Sequence, residues 1–146
     1  NWSATSSTSN VGTVTINALG SNVNVSAATG TSGWTLTNAS AGVYMDSVLT
    51  GSANNDFLIG GGSVDTLVGG GGNDTLTGGV GIDTFTVASG TDTITDLGNG
   101  ADILNVSAGA TANATAAAAW TATASTSNAG TASVTTSGFS INISAA

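Results

Sequence analysis

Large apolar side chains recur at a fixed spacing through the middle of the chain. Steps of nine residues separate Leu58, Leu67, Leu76, Phe85 and Ile94, and Val48 and Leu104 extend the series with steps of ten. Glycine-rich segments lie between these positions, and β-branched residues surround many of them. This pattern predicts short strands joined by tight turns, with the recurring apolar residue of each strand buried in the core.

An aspartate stands two residues before each of these apolar positions. Steps of nine residues separate Asp56, Asp65, Asp74, Asp83 and Asp92, while Asp46 and Asp102 lie ten residues outside the series. Chance does not account for seven such pairs at this spacing. The turn before each strand is therefore predicted to carry a carboxylate.

The two flanks show the period-two alternation of apolar and polar residues that is typical of strands. Residues 14–16, 23–25, 34–36 and 141–143 carry this alternation, and turn-forming residues lie at 19–22 and 29–33. Such strands fit either a small sandwich or a continuation of a solenoid, and the alternation alone does not decide between them.

The composition excludes most catalytic and nucleic-acid-binding chemistry. The chain has 8 acidic residues, all aspartate, and no lysine, arginine, histidine or cysteine, so its formal net charge is −8. It therefore lacks an imidazole base, a thiolate nucleophile, a Schiff-base amine and the usual zinc and iron–sulfur ligands. It has no cation to displace counterions from phosphates, and no apolar run long enough to span a membrane. We expect no enzymatic activity, no nucleic-acid partner and no membrane span; the carboxylates remain available for a hard cation.

The turns and aspartates together resemble the RTX calcium-binding repeat, the nonapeptide G-G-x-G-x-D-x-U-x. The units that begin at Gly69 and Gly78 match every specified position, whereas the unit at Gly51 has lost two glycines. Residues 95–104 are similar to the segment that closes such arrays. The resemblance covers residues 46–107 and says little about the flanks.

This resemblance implies an all-β fold, a parallel β-roll in which each nonapeptide forms a six-residue turn and a short strand. Two nonapeptides make one coil, so calcium ions, about 3–5 in number, would bridge aspartates two units apart. The pairs implied are Asp56 with Asp74, Asp65 with Asp83, Asp74 with Asp92, and Asp83 with Asp102. The candidate metal ligands are Asp56, Asp65, Asp74, Asp83, Asp92, Asp102, Asn54, Gly60, Gly62, Gly69, Gly71, Gly72, Gly78, Val80 and Gly81. Asp46 is expected in a capping first strand in preference to a metal site. Asp96 fits either a turn residue or a ligand at the end of the array, and the turn is favoured.

Electrostatics independently favours a cation in such a roll. Strands stack ~4.8 Å apart, and two carboxylates at that separation repel each other by about 3.5 kcal/mol with an effective dielectric constant of 20. A divalent ion between them replaces repulsion with coordination. Calcium suits this position because it accepts about 6–8 oxygens in flexible geometry, including backbone carbonyls. The resulting hypothesis is that the roll folds only with calcium.

A second, longer repeat links the two ends of the chain. Residues 120–146 repeat residues 2–28 at a constant offset of 118, with 14 identities in 27 positions. We interpret this as a tandem unit followed by the start of the next. The chain then divides into a β-rich connector (1–45), the roll (46–107) and an Ala/Thr-rich β segment (108–146). Strands of an incomplete unit need a partner, so we expect self-association into a polymer or lattice through the β-rich ends.

The leading functional hypothesis is a calcium-stabilised structural module of a secreted assembly: a surface layer (S-layer), a filament or an adhesin. The resemblance implies a bacterial chain exported by type I secretion to the cell surface. One alternative is a binding module, with threonine ladders for ice or with Trp2, Trp34 and Trp120 stacked on glycans such as a cell-surface polysaccharide. A solvated face and core packing are the favoured explanations for those threonines and tryptophans. The other alternative is the RTX appendage of a secreted enzyme.

Overall fold

The computed structural model describes residues 1–38 and 45–145 of the chain. All regular elements in this part of the chain are β-strands. They are β1 (Trp2–Ser3), β2 (Ser9–Asn10), β3 (Thr15–Asn17), β4 (Val23–Asn24), β5 (Thr29–Gly30), β6 (Thr35–Thr37), β7 (Val48–Thr50), β8 (Phe57–Gly62), β9 (Thr66–Val68), β10 (Thr75–Val80), β11 (Thr84–Val87), β12 (Thr91–Leu97), β13 (Ile103–Val106), β14 (Thr111–Ala116), β15 (Trp120–Thr121), β16 (Ser127–Asn128), β17 (Thr131–Thr136) and β18 (Ile141–Asn142).

The strands wind into a parallel β-solenoid with two long sheets. One sheet has the order β1-β4-β7-β9-β11-β13-β16, and the other has the order β17-β14-β12-β10-β8-β6-β3. Two short pairs, β2 with β5 and β15 with β18, lie beside them. Every pairing is parallel, as expected for strands that recur once per coil. The predicted all-β roll is confirmed, and the described flanks continue the solenoid instead of forming a sandwich.

Seven successive coils follow from this strand order. Coils 1 and 2 span residues 2–17 and 23–37 and contain three strands each; coils 3 to 6 span 48–62, 66–80, 84–97 and 103–116 and contain two each. Coil 7 spans residues 120–136, and β18 follows it. In the roll, the register pairs residues 18 apart, such as Phe57 with Thr75 and Thr66 with Thr84. Two nonapeptides therefore complete one coil, as predicted.

The core is a narrow cluster of apolar side chains between the two sheets. Six of the seven predicted positions are fully or almost fully buried, and they are Leu58, Leu67, Leu76, Phe85, Ile94 and Leu104. The prediction for Val48 was wrong, because this side chain is 38% exposed and Leu49 is fully buried instead. Leu49 pairs with Leu67 in the sheet, so the apolar series shifts by one residue where its spacing changes from nine to ten.

The flanking coils differ from the roll in their corners. The turn predicted at 19–22 is present, with Leu19 and Gly20 at φ values of 50° and 76°. The turn predicted at 29–33 was wrong in part, because Thr29–Gly30 forms the short strand β5 against β2. A third strand per coil thus lengthens the step between stacked residues to 20 or 21, as for Ser9 with Thr29 and Trp2 with Val23.

Strands at the two ends of the chain occur at equivalent positions. β15, β16 and β18 lie 118 residues after β1, β2 and β4, and β17 includes the positions equivalent to β3. The repeat seen in the sequence therefore has the same strand pattern at both ends. The three-part division at residues 46 and 107 stays a prediction, although both long sheets run through those positions.

Candidate metal centre

Six aspartates form two columns, one along each edge of the roll. The first column comprises Asp56, Asp74 and Asp92, which precede or begin strands of one sheet; the second comprises Asp65, Asp83 and Asp102, which precede strands of the other. All six side chains are at most 4% exposed. The turns bring them to the same corner of each coil because the register places residues 18 or 19 apart directly above one another. The four predicted aspartate pairs are therefore neighbours in the columns.

One carboxylate oxygen of each aspartate is bound to the preceding coil. In the first column, Asp56 N–H donates to Asp74 Oδ1 at 2.8 Å, and Asp74 N–H donates to Asp92 Oδ1 at 3.0 Å. The second column repeats the arrangement, with Asp65 N–H to Asp83 Oδ1 at 2.8 Å and Asp83 N–H to Asp102 Oδ1 at 2.9 Å. The Oδ1 atoms therefore align the coils.

The hydrogen bonding of the second carboxylate oxygen, Oδ2, distinguishes four of the six aspartates from the other two. The Oδ2 atoms of Asp65, Asp74, Asp83 and Asp92 are buried and have no hydrogen-bond partner. By contrast, Asp56 Oδ2 accepts from Ser52 N–H, and Asp102 Oδ2 accepts from Gly98 N–H at 2.7 Å. An unpaired buried carboxylate oxygen is costly, so these four atoms need a cation or a proton.

The first glycine of each turn lets oxygens of neighbouring coils come close to its backbone. A Cβ built at Gly60 would lie 2.5 Å from the Gly78 carbonyl oxygen and 2.8 Å from Asp65 Oδ2. A Cβ at Gly69 would contact the Oδ2 atoms of both Asp74 and Asp92. Carboxylate and carbonyl oxygens from successive coils thus converge on the side of the turn where glycine has no side chain. Oxygen donors of this kind suit calcium.

Burial raises the pKa values of all six column carboxyls. The pKa reaches about 7 for Asp74 and Asp83 and about 6 for Asp92. Backbone N–H donors oppose this shift, while the charges of neighbouring aspartates add to it for Asp74 and Asp83. Without a cation, the folded state therefore favours protonation of Asp74 and Asp83 below about pH 7.

The remaining predicted ligands take several positions around the turns. Gly72 and Asn54 stack on each other, and the Asn54 side-chain amide points to coil 2, where it lies 3.4 Å from the Gly30 and Ser32 carbonyl oxygens. Gly62 pairs with Val80 between β8 and β10, and the Val80 carbonyl accepts the Ser63 N–H.

Two further predicted ligands lie in the same stacked turns. Gly71 N–H donates to the Ser52 carbonyl at 2.8 Å, and Gly81 stacks on Ser63 of the preceding coil. The role of these glycines, Asn54 and Val80 as ligands stays a prediction.

Sequence reasoning missed the residues that cap the columns. Ser47 donates to Asp65 Oδ1 from both its N–H and its hydroxyl, each at 2.8 Å, and Trp34 N–H donates to Asp56 Oδ1 at 2.6 Å. The buried Asn38 amide also lies 3.3 Å from Asp65 Oδ1. Ser47 could have been found from the sequence, since it precedes Asp65 by the 18 residues of one coil.

The two aspartates outside the columns make different contacts. Asp46 is exposed and accepts from the Ser63 hydroxyl and the Val64 N–H, which lowers its pKa. Asp96 lies in strand β12, not in the predicted turn, and its carboxylate accepts the N–H groups of Gly78 and Gly79. Within residues 1–38 and 45–145, no three carboxylates converge on one point. An ion in a column would therefore combine two aspartates with carbonyl oxygens.

The comparison with protein families identifies these turns. The family described as the RTX calcium-binding nonapeptide repeat matches residues 44–76 and 59–94, with 4 copies. Residues 44–94 are RTX repeats. RTX repeats bind calcium and are typical of extracellular proteins, and the unpaired Oδ2 atoms and nearby carbonyl oxygens fit this ion. No curated protein and no solved structure matches the chain.

Proposed function

We propose that this chain is a structural module of a secreted extracellular assembly, such as a surface layer, a filament or a long adhesin. Calcium folds and stiffens the RTX roll, and the module carries no chemistry of its own. The observation that supports this most directly is the set of four buried Oδ2 atoms without a hydrogen-bond partner, two in each column. Calcium ions in the columns would neutralise these charges and link successive coils.

The chain would fold outside the cell, where calcium is abundant. Six buried aspartates repel one another in calcium-poor cytosol and are neutralised at millimolar external calcium. A chain of this kind can leave a bacterial cell unfolded, by type I secretion, and fold at the cell surface. In the described part of the chain, no helix is long and apolar enough to cross a membrane.

The core gives a reason why the module depends on its ions. One or two large apolar residues per strand fill the space between the sheets of the roll, so the core is thin. Ordering each residue costs about 1–2 kcal/mol in backbone entropy, and a core this thin offsets little of that cost. Calcium at a concentration tenfold above its Kd adds about 1.4 kcal/mol per site.

Glycan binding by the three tryptophans receives less support. Trp34 and Trp120 are buried, at 5% and 2% exposure, and they belong to the core cluster. Trp2 is 43% exposed. The threonines of the roll are half-buried or exposed, and the hydroxyls of Thr77 and Thr95 in neighbouring coils lie 2.7 Å apart.

A calcium titration tests the proposed function. We expect far-UV circular dichroism to show a largely unfolded roll in EGTA and a β spectrum in millimolar calcium, with magnesium unable to substitute at equal concentration. Isothermal titration calorimetry in parallel counts the ions bound. A β spectrum of equal intensity with and without chelator, or no bound calcium, would contradict the proposal.

A further inference from the structure

The four unpaired carboxylate oxygens divide into two separate pairs. Within the described part of the chain, the Oδ2 atoms of Asp65, Asp74, Asp83 and Asp92 are buried without a hydrogen-bond partner. Asp74 and Asp92 are stacked neighbours in the first column, and Asp65 and Asp83 are stacked neighbours in the second. We call these the central pairs. Because no aspartate belongs to both, two ions, one in each column, are enough to bind all four oxygens.

Both central pairs lie between the same two coils. Asp65 and Asp74 precede the strands β9 and β10 of coil 4, whereas Asp83 precedes β11 and Asp92 lies in β12 of coil 5. Asp74 and Asp83 also belong to the two nonapeptides that match the repeat at every specified position. One ion at each edge would therefore join coil 4 to coil 5.

In the first column, the two unpaired oxygens lie close to one point. A Cβ built on Gly69 would be 2.4 Å from Asp74 Oδ2 and 2.9 Å from Asp92 Oδ2. Two carboxylate oxygens that face one point repel each other, and a divalent cation between them replaces this repulsion with coordination.

In the second column, Gly78 lies close to the oxygens of its central pair. A Cβ built on Gly78 would be 2.4 Å from Asp83 Oδ2. The Gly78 carbonyl oxygen and Asp65 Oδ2 lie 2.5 Å and 2.8 Å from the Cβ position of Gly60. A carbonyl oxygen therefore accompanies the carboxylates here, as suits calcium.

The two remaining aspartates, Asp56 and Asp102, are already satisfied by the protein. Asp56 Oδ1 accepts the Trp34 N–H at 2.6 Å, and its Oδ2 accepts both the N–H and the hydroxyl of Ser52. Asp102 Oδ2 accepts the Gly98 N–H at 2.7 Å. Hydrogen bonds to a buried carboxylate stabilise its charge without a cation. An ion that binds Asp56 or Asp102 therefore has to compete with these donors.

We propose that the roll binds calcium in two steps. Two tight ions first occupy the central pairs and join coils 4 and 5. Weaker ions then bind the two pairs that include a satisfied aspartate, which we call the end pairs: Asp56 with Asp74, and Asp83 with Asp102. Their Kd is about tenfold to a hundredfold higher, because an ion there has to displace a hydrogen bond to a charged group. When external calcium falls, the end pairs lose their ions first and coils 4 and 5 stay joined. This inference rests on the proposed function and specifies how calcium concentration regulates it.

A calcium titration of the unmodified chain tests the two steps. Isothermal titration calorimetry counts the ions, and far-UV circular dichroism at the same calcium concentrations follows folding. We expect two ions to bind first, with the main rise in β signal, and further ions to bind at about tenfold to a hundredfold higher calcium. A single class of four equivalent sites would overturn the inference.

Aspartates at the two ends of one column provide a matched comparison. Asp56 and Asp92 each belong to one pair of the first column, so equivalent sites would make Asp56→Asn and Asp92→Asn lose the same ions. We expect Asp92→Asn to reduce the number of tight ions from two to one, and Asp56→Asn to leave both. Asparagine at position 56 also turns an amide towards one of its two donors and destabilises the fold. The number of tight ions, and not stability, is therefore the readout.

The second column repeats this comparison with Asp65→Asn and Asp102→Asn. We expect Asp65→Asn to remove one tight ion and Asp102→Asn to remove none. Equal loss of tight ions by both variants of a column would contradict the assignment of the central pairs.

Ser52→Gly has the opposite expected effect. It removes the hydroxyl that lies 3.0 Å from Asp56 Oδ2, and it supplies the glycine that Gly70 provides 18 residues later. We expect the Kd of one weaker ion to fall about two- to tenfold, with the two tight ions unchanged. Ser89→Gly is the control, since the Ser89 hydroxyl donates to the Gly70 carbonyl at 3.1 Å. Equal effects of the two glycine substitutions would refute competition by Ser52.

The outcome separates this inference from the proposed function. A chain that calcium folds through one class of four sites overturns the inference and leaves the proposed function standing. A chain that binds no calcium overturns both.

Discussion

The substitution Asp74→Asn has opposite expected effects with and without calcium. Asp74 occupies the middle of the first column, its Oδ1 accepts the Asp56 N–H, and its Oδ2 has no partner. Asparagine keeps an acceptor for the Asp56 N–H and removes the charge. Its amide nitrogen can point towards Asp92 Oδ2, since the Oδ2 atoms of both residues lie within 2.9 Å of the position that a Cβ on Gly69 would take.

In chelator, the substitution should stabilise the folded chain. Burial raises the pKa of Asp74 from 3.8 to about 7. The unfolded chain ionises this carboxyl at lower pH than the folded chain does, so ionisation opposes folding as pH rises through that range and does so fully above about pH 7. The difference amounts to about 4 kcal/mol at about pH 8, and solvent close to the turns reduces it to on the order of 2 kcal/mol.

In calcium, the same substitution should be destabilising relative to the unmodified chain. Asp74 belongs to two of the four predicted pairs, and each ion contributes about 1.4 kcal/mol at a concentration tenfold above its Kd. The stabilisation that calcium provides should therefore fall by about 3 kcal/mol if both ions are lost. Urea unfolding followed by circular dichroism, in EGTA and in millimolar calcium, measures both effects.

Asp46→Asn is the matched control. Asp46 is exposed and lies outside the columns, so its substitution should change the free energy of unfolding little in either condition. Equal destabilisation by Asp74→Asn in EGTA and in calcium would refute the reasoning, because it would mean that Asp74 acts through its hydrogen bond and not through its charge.

Three further predictions concern pH, the turns and the core. In chelator, acidification from about pH 8 to about pH 4 should increase the β signal, because burial raises the pKa of Asp83 to about 7 and protonation removes the buried charge; a signal that falls over this range would contradict the pKa argument. Gly69→Ala should weaken the calcium response, because its Cβ would contact and displace the Oδ2 atoms of Asp74 and Asp92. Gly12→Ala, with nothing within 4 Å of its Cβ, should leave the response unchanged, and calorimetry measures both. Leu67→Ala should lower the free energy of unfolding by about 2–5 kcal/mol, and Val48→Ala should lower it by less than about 1 kcal/mol. Urea unfolding in calcium measures both, and equal losses would contradict the observed one-residue shift of the core.

The roll could be predicted from the sequence because one side-chain pattern determines its fold. Each aspartate and the apolar residue two positions later specify a corner and a core position, and a constant step of nine fixes the register of both. The pattern failed at Asp46 and Val48, where a step of ten shifts the register and Ser47 takes the capping position beside Asp65. At this end of the roll, a spacing of 18 residues from Asp65 thus predicts the capping residue better than the presence of an aspartate does.

The flanks could be predicted only as strands, for a physical reason. Their coils contain a third short strand, and their steps of 20 or 21 residues carry no repeated charged residue that would show the register. Period-two alternation in two- or three-residue strands is also the same in a sandwich and in a solenoid. Burial of Trp34 and Trp120 depends on which coil lies next to them, and that contact is set by the stacking of the whole chain.

The two-nonapeptide coil restricts how a protein of this kind can grow. Inserting two nonapeptides adds one coil of ~4.8 Å and leaves every later residue on its original edge. Inserting a single nonapeptide would move all later aspartates to the opposite edge and would place every strand after it in the opposite sheet. Viable length variants should therefore differ by even numbers of nonapeptides, so that the genetic unit of elongation is 18 codons and not nine.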